Sequence, residues 1–109
     1  MLFQNDYKHY QSFQKRGPKH QGKIKEMETK LKDKGFDVTN EKYIQTPNGK
    51  KRGRFVDVFG EHPKTKEERY IQVGKENKNG TPVIRKRDAI KDIEQEVENV
   101  KVEFVPYNK

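Results

Sequence analysis

Apolar residues recur at Ile24, Met27 and Leu31, the three- and four-residue steps of one helix face, and His20 extends that stripe one turn earlier. The spacing predicts a helix over Pro18 to Lys34, closed by Gly35 as its C′ residue. Phe36-Asp37-Val38-Thr39 then alternates as a strand does, and Tyr43 and Ile44 extend it. Pro47-Asn48-Gly49 marks a turn, and Lys50-Lys51-Arg52 follows as a basic run. Arg54 to Phe59 is a mostly apolar strand of the kind covered on both faces. A polar connection from Gly60 to Glu68 leads into a strand over Tyr70 to Gly74, then a loop over Asn77 to Pro82. Ala89, Ile90, Ile93 and Val97 predict a second helix over Ile84 to Glu98, and Val100 to Val105 alternates as a last strand ending at Pro106. The order is αβββαβ, an α/β (α+β) chain with no internal repeat.

Ahead of this core, Phe3, Tyr7, Tyr10 and Phe13 fall about one helical turn apart before Gly17-Pro18. Residues 1–17 therefore read as a linker or a short helix, and residues 18–109 as the domain. At 109 residues the chain suits one domain, and Leu, Ile, Val and Phe make up only 23 of them, so the core is thin. Cysteine is absent, which excludes disulfides and zinc-thiolate sites and leaves oxygen or imidazole for any metal. No apolar run approaches a membrane span, and the first residues are too polar for a signal peptide, so export would need another carrier.

The net charge of +8 is unevenly placed. Residues 15–54 hold 13 Lys and Arg against 5 Asp and Glu, whereas residues 55–109 hold 11 of each. A concentration of that kind suits an anionic polymer, because neutralising phosphates releases counterions and steers encounter. A merely well-solvated surface is the bland alternative.

Asp57 is the one anion in its strand, and Gln72 sits on the neighbouring strand of the same hairpin. A carboxylate and an amide carbonyl side by side make two hard oxygen ligands for Mg²⁺ or Mn²⁺. Lys75 then supplies an ammonium that orients water or neutralises charge at a phosphorus. Taken singly, Asp57 is equally at home paired with Arg54, and Gln72 as a hydrogen-bonding surface residue.

The segments Leu31-x-x-x-Gly35-Phe36, Arg54-Phe55-Val56-Asp57-Val58 and Tyr70-Ile71-Gln72-Val73-Gly74-Lys75 carry a resemblance, together with Gly80-x-Pro82-Val83-x-Arg85-x-Arg87-x-Ala89. Over residues 19–107 the chain resembles the PD-(D/E)XK, or restriction-endonuclease-like, superfamily, and within it the C-terminal nuclease modules of secreted bacterial polymorphic toxins. The resemblance implies a four-stranded mixed sheet flanked by helices, a divalent metal, and cleavage of nucleic acid. Asp57 takes the place of the metal-binding aspartate, Gln72 that of the usual glutamate, and Lys75 stands near the lysine. Gln72 is neutral, so a metal held there is held more weakly. Lys75 follows Gln72 by three residues rather than two, and a bulge or bend at Gly74 is expected to turn it back toward the site.

Many relatives carry a glutamate on the first helix. Here Ile24 holds that stripe position, leaving His20 or Glu28 to complete the site. Arg52, Arg54, Arg85 and Arg87 are the expected phosphate contacts, their guanidinium forks matching phosphate oxygens. The expected function is a metal-dependent endonuclease toxin domain of a larger secreted protein, delivered into a target cell and acting in its cytoplasm. DNA is favoured, and a cognate acidic immunity protein is the expected partner. An RNase on the same scaffold and a non-catalytic basic nucleic-acid-binding domain are the competing readings.

Overall fold

The computed structural model describes residues 17–108. The proposed linker or helix over residues 1–17 thus lies outside the described residues except for Gly17. The elements run α1 (Pro18–Asp33), β1 (Asp37–Gln45), β2 (Gly53–Glu61), β3 (Glu68–Gly74), α2 (Ile84–Glu96) and β4 (Glu103–Pro106). This is the expected αβββαβ order, folded as a four-stranded mixed sheet with two helices.

Helix α1 begins with Pro18 in its first turn, where the missing N–H has no partner to lose. It ends in a Schellman turn: Phe36 N–H donates to Leu31 O at 3.0 Å and Gly35 N–H to Lys32 O at 2.9 Å. Gly35 has φ +90°, a left-handed conformation that favours glycine. The turn drops Phe36 beside Leu31 in the core and starts β1.

The sheet order is β1-β2-β3-β4. β1 pairs antiparallel with β2, and β2 with β3, while β3 and β4 are parallel and joined through α2. Ile24 and Leu31 of α1 pack with Phe36, Val58, Ile71 and Val73. Ile93 of α2 packs on the other face with Val56, Phe59, Tyr70 and Val102. Fully burying a side chain of this size contributes roughly 1.5–3 kcal/mol, so two small clusters are the main cohesive force.

Several boundaries differ from the sequence pattern, among them the start of β3, which is Glu68 and not Tyr70. β1 is one continuous strand of 9 residues through Tyr43 and Ile44 rather than a short strand with an extension. β2 also reaches one residue earlier and two residues further than its apolar run. Helix α2 stops at Glu96, with Val97 extended. β4 begins at Glu103 and not Val100, because Asn99 turns the chain with φ +58° and Val102 N–H donates to Glu94 Oε2 at 2.8 Å instead of to a strand.

Within β1 and β2 the alternation changes phase. Val56 and Val58 are two residues apart, yet they belong to opposite clusters, and so do Val38 and Ile44. The shift occurs where Glu41, at φ +52°, interrupts the ladder opposite Asp57.

Candidate functional site

β2 and β3 pair from Glu61↔Glu68 to Val58↔Ile71 and then part. β2 continues alongside β1 to Gly53, and β3 alongside β4 to Gly74. The two strands thus make a fork, and Asp57 and Gln72 stand at its root.

Gln72 is 1% exposed, and its amide bridges the gap. Its Oε1 accepts from Asp57 N–H at 2.8 Å and its Nε2 donates to Phe55 O at 3.1 Å. The side chain thereby satisfies two backbone groups of β2 that the missing ladder leaves over. Asp57, 2% exposed, spans the fork in the other direction, with Oδ2 accepting from Val73 N–H at 2.8 Å.

The ammonium facing that carboxylate belongs to Lys86, whose Nζ lies 3.0 Å from Asp57 Oδ2. Lys75, expected in this role, is exposed at the mouth of the same cavity. No bulge turns it: β3 pairs with β4 without interruption through Gln72↔Phe104, Val73↔Val105 and Gly74↔Pro106. Gly74 has a different use. A Cβ there would fall 2.6 Å from Lys86 Cγ, so the glycine leaves the passage through which the lysine stem runs. The approach is fixed by the backbone, since Val83 N–H donates to Lys75 O at 3.0 Å and Lys86 N–H to Val83 O at 2.9 Å, which seats the start of α2 against the end of β3.

His20 reaches the carboxylate from α1, with Nε2 3.8 Å from Asp57 Oδ2. Its ring stacks on Tyr107 at 5.1 Å and 14°, and Nε2 is buried without a hydrogen-bond partner. Glu28, the alternative on that helix, is absent from the cavity wall. It stands eight residues along α1, about 12 Å of helix rise from His20.

Of the four arginines expected at phosphate, Arg85 lines the cavity, while Arg52 and Arg87 are exposed outside its wall. Arg54 lines it too, but its guanidinium is held by buried Asp92, with Nε and one terminal nitrogen each 2.8 Å from Oδ2. Asp92 also accepts from the N–H groups of Lys50 and Lys51 at 3.1 and 3.3 Å, pinning the turn between β1 and β2 to α2. Burial pushes the Asp92 carboxyl up, but the Arg54 guanidinium and the two N–H donors outweigh it and hold the group below its usual range.

The cavity encloses about 750 Å³. Lys51, Arg54, Lys75, Arg85, Lys86 and His20 line it, against Asp57 as the one carboxylate. Its field favours anions, and a buried carboxylate among cations at its floor can bind a dication or orient a proton-transfer partner.

Among the described residues no three His, Cys, Asp or Glu side chains come together as a ligand set. The Asp57 carboxylate and His20 Nε2 lie 3.8 Å apart, and Gln72 Oε1, which accepts from Asp57 N–H, is the other candidate donor on the cavity wall. Such a mixed oxygen and imidazole set fits Mn²⁺ better than Mg²⁺, with water and phosphate completing it. The Lys86 ammonium competes for the same carboxylate, so the fit is to a weakly held ion.

Lys86 was within reach of the sequence. It precedes Ala89 and Ile93 by three and seven residues, the inward stripe of α2. Comparison with protein-family models, with curated proteins and with solved structures gives no match, so the functional reading rests on the chemistry of these side chains.

Proposed function

We propose that this chain is a nuclease domain that hydrolyses phosphodiester bonds, with DNA favoured and a divalent cation as cofactor. The observation that carries the reading is a buried carboxylate, Asp57, at the root of a strand fork, faced by the Lys86 ammonium and His20 in a cavity whose other charged lining residues are all cations.

Phosphoryl hydrolysis needs little covalent chemistry from a protein; positioning and charge stabilisation do most of the work. Lys51, Lys75 and Arg85 hold the polyanion at the cavity wall. Lys86, fixed by Asp57, places a positive charge where the equatorial oxygens gain negative charge. His20, its ring held flat against Tyr107, accepts a proton from the attacking water at Nε2. A divalent cation, when bound, would be held by Asp57 with Gln72 or, in place of its role as base, His20 as a second donor, and would supply further charge neutralisation and lower the pKa of water.

The sparse donor set favours a second reading on the same residues. RNA carries its own nucleophile: His20 can take the proton from a 2′-hydroxyl, the 2′-oxygen bonds to phosphorus as the P–O5′ bond breaks, Lys86 stabilises the phosphorane charge, and the 5′-oxygen leaves with a proton from solvent. That route leaves a 2′,3′-cyclic phosphate and runs in EDTA.

In the setting implied by the sequence resemblance, the domain is the toxic module of a larger secreted protein, delivered into a target cell and restrained in the producer by an acidic immunity protein. Among the described residues no helix is long and apolar enough to cross a membrane. The test is incubation of the purified chain with plasmid and with total RNA, in Mn²⁺, in Mg²⁺ and in EDTA, beside Asp57→Ala. Plasmid nicking that needs metal and Asp57 supports the first reading, and EDTA-resistant RNA cutting supports the second. If neither polymer is cut, both catalytic readings fall.

A further inference from the structure

Among the described residues, the large hydrophobic side chains exposed to solvent are Tyr43, at 44%, and Ile84, at 60%. Both stand at the basic cavity. Ile84 lines it directly, and Tyr43 packs on Phe55, another lining residue, with ring centroids 5.1 Å apart and planes tilted by 56°. Neither Tyr43 nor Phe55 belongs to a core cluster. Both follow the phase change at Glu41 and Asp57, directly opposite each other across β1 and β2. Gly53, also on the cavity wall, leaves the space the Tyr43 hydroxyl occupies, because a Cβ there would collide with it.

Phe55 on the wall and the exposed Tyr43 against it offer aromatic ring surface next to the anion contacts Lys51, Lys75 and Arg85. A nucleotide has that combination, and every base has a π-face that stacks without regard to sequence. In a duplex those faces are covered by neighbouring bases, and a cavity of about 750 Å³ is the size that takes one small molecule rather than a rod of paired strands.

We propose that this cavity takes up an unpaired nucleotide, its base laid against Tyr43 and Phe55 and its phosphates on the neighbouring cations, so that the preferred substrate is single-stranded nucleic acid. The inference rests on the nuclease reading for its biological use, but its test is one of binding alone.

Fluorescence anisotropy on the uncut Asp57→Asn chain compares a short single strand, its duplex, and a strand of equal charge built from abasic units. The single strand is expected to bind about tenfold tighter than either competitor at one salt concentration, in line with the worth of a stacked base. Tyr43→Leu and Phe55→Leu, which keep apolar bulk, should weaken the base-bearing strand about tenfold and leave the abasic strand unchanged. Equal affinity for the abasic strand or the duplex overturns the proposal, as does wild-type affinity in both leucine variants. Failure to bind any of the three strands also overturns it. Should Asp57→Asn unfold, Lys86→Met serves as a slow-cutting background, with strand integrity checked by gel. Aromatic-dependent binding with no cleavage by the wild type leaves this inference standing and removes the nuclease reading; duplex cutting with no base dependence does the reverse.

Discussion

Lys86 Nζ and Asp57 Oδ2 lie 3.0 Å apart, so the cation facing the buried carboxylate comes from α2 and not from the end of β3. On the proposed nuclease reading, an ammonium anchored in this way is preorganised for charge that develops at a phosphorus. Lys86→Met is therefore expected to lower the rate of nicking by about 10²–10³, the usual cost of deleting one preorganised donor. Lys75→Met should cost only a fewfold, as one exposed phosphate contact among several. Initial rates on supercoiled plasmid rank the two variants, and a larger loss from Lys75 would return the catalytic role to that residue.

Gly74 reaches the same chemistry through space. A methyl in place of its hydrogen would stand 2.6 to 3.1 Å from Lys86 Cγ, Cδ and Cε, in the path the lysine stem takes. Gly74→Ala must push that stem aside near its root, an overpacking cost of about 1–3 kcal/mol. The expected result is a folded protein by circular dichroism whose cleavage falls nearly as far as in Lys86→Met. Full activity in Gly74→Ala would mean that the ammonium finds the carboxylate by another path.

Asp92 ties Arg54 and the turn after β1 to α2 through a buried carboxylate. Asp92→Asn removes one partner of a buried pair and should cost about 3 kcal/mol in urea unfolding at neutral pH. The folded-state pKa of Asp92 lies below the reference of 3.8, so its contribution is complete above that value and disappears as pH falls through the lower folded value. The gap between wild type and variant should therefore narrow in strong acid. A gap that stays constant down to such pH would show that Asp92 acts through shape and not charge.

The element order was legible because apolar residues recur at helical spacing in both helices and alternate in the strands, and Gly35 announced the end of α1. The position of Asp57 was legible too, as a carboxylate inside an apolar run. Lys75 is where the geometry departs from the expected placement. Nearness to Gln72 along the chain suggested nearness to Asp57, whereas the uninterrupted β3–β4 ladder leaves Lys75 at the cavity mouth and a loop brings Lys86 back over Gly74. Arg54 misled in the same way, since its partner Asp92 is 38 residues away and nothing local marks the pair. The fork itself has no local signature, because it depends on two strands each choosing a different neighbour.

Gln72 separates a structural from a metal-binding use of the fork. Its amide accepts from Asp57 N–H and donates to Phe55 O, so it serves β2 whether or not a cation binds. Gln72→Glu keeps the acceptor but loses the donor to Phe55 O, at about 1–3 kcal/mol, and sets a second buried carboxylate beside Asp57. Without metal the variant should melt below the wild type. With Mn²⁺ the added charge should recover most of that loss, because an ion at a hundred times its Kd stabilises the folded state by about 2.7 kcal/mol. Differential scanning calorimetry with Mn²⁺ and with EDTA reads both effects. A Tm indifferent to Mn²⁺ in wild type and variant alike, alongside cleavage that survives EDTA, would remove the cation from the mechanism and leave His20 and Lys86 to act on RNA.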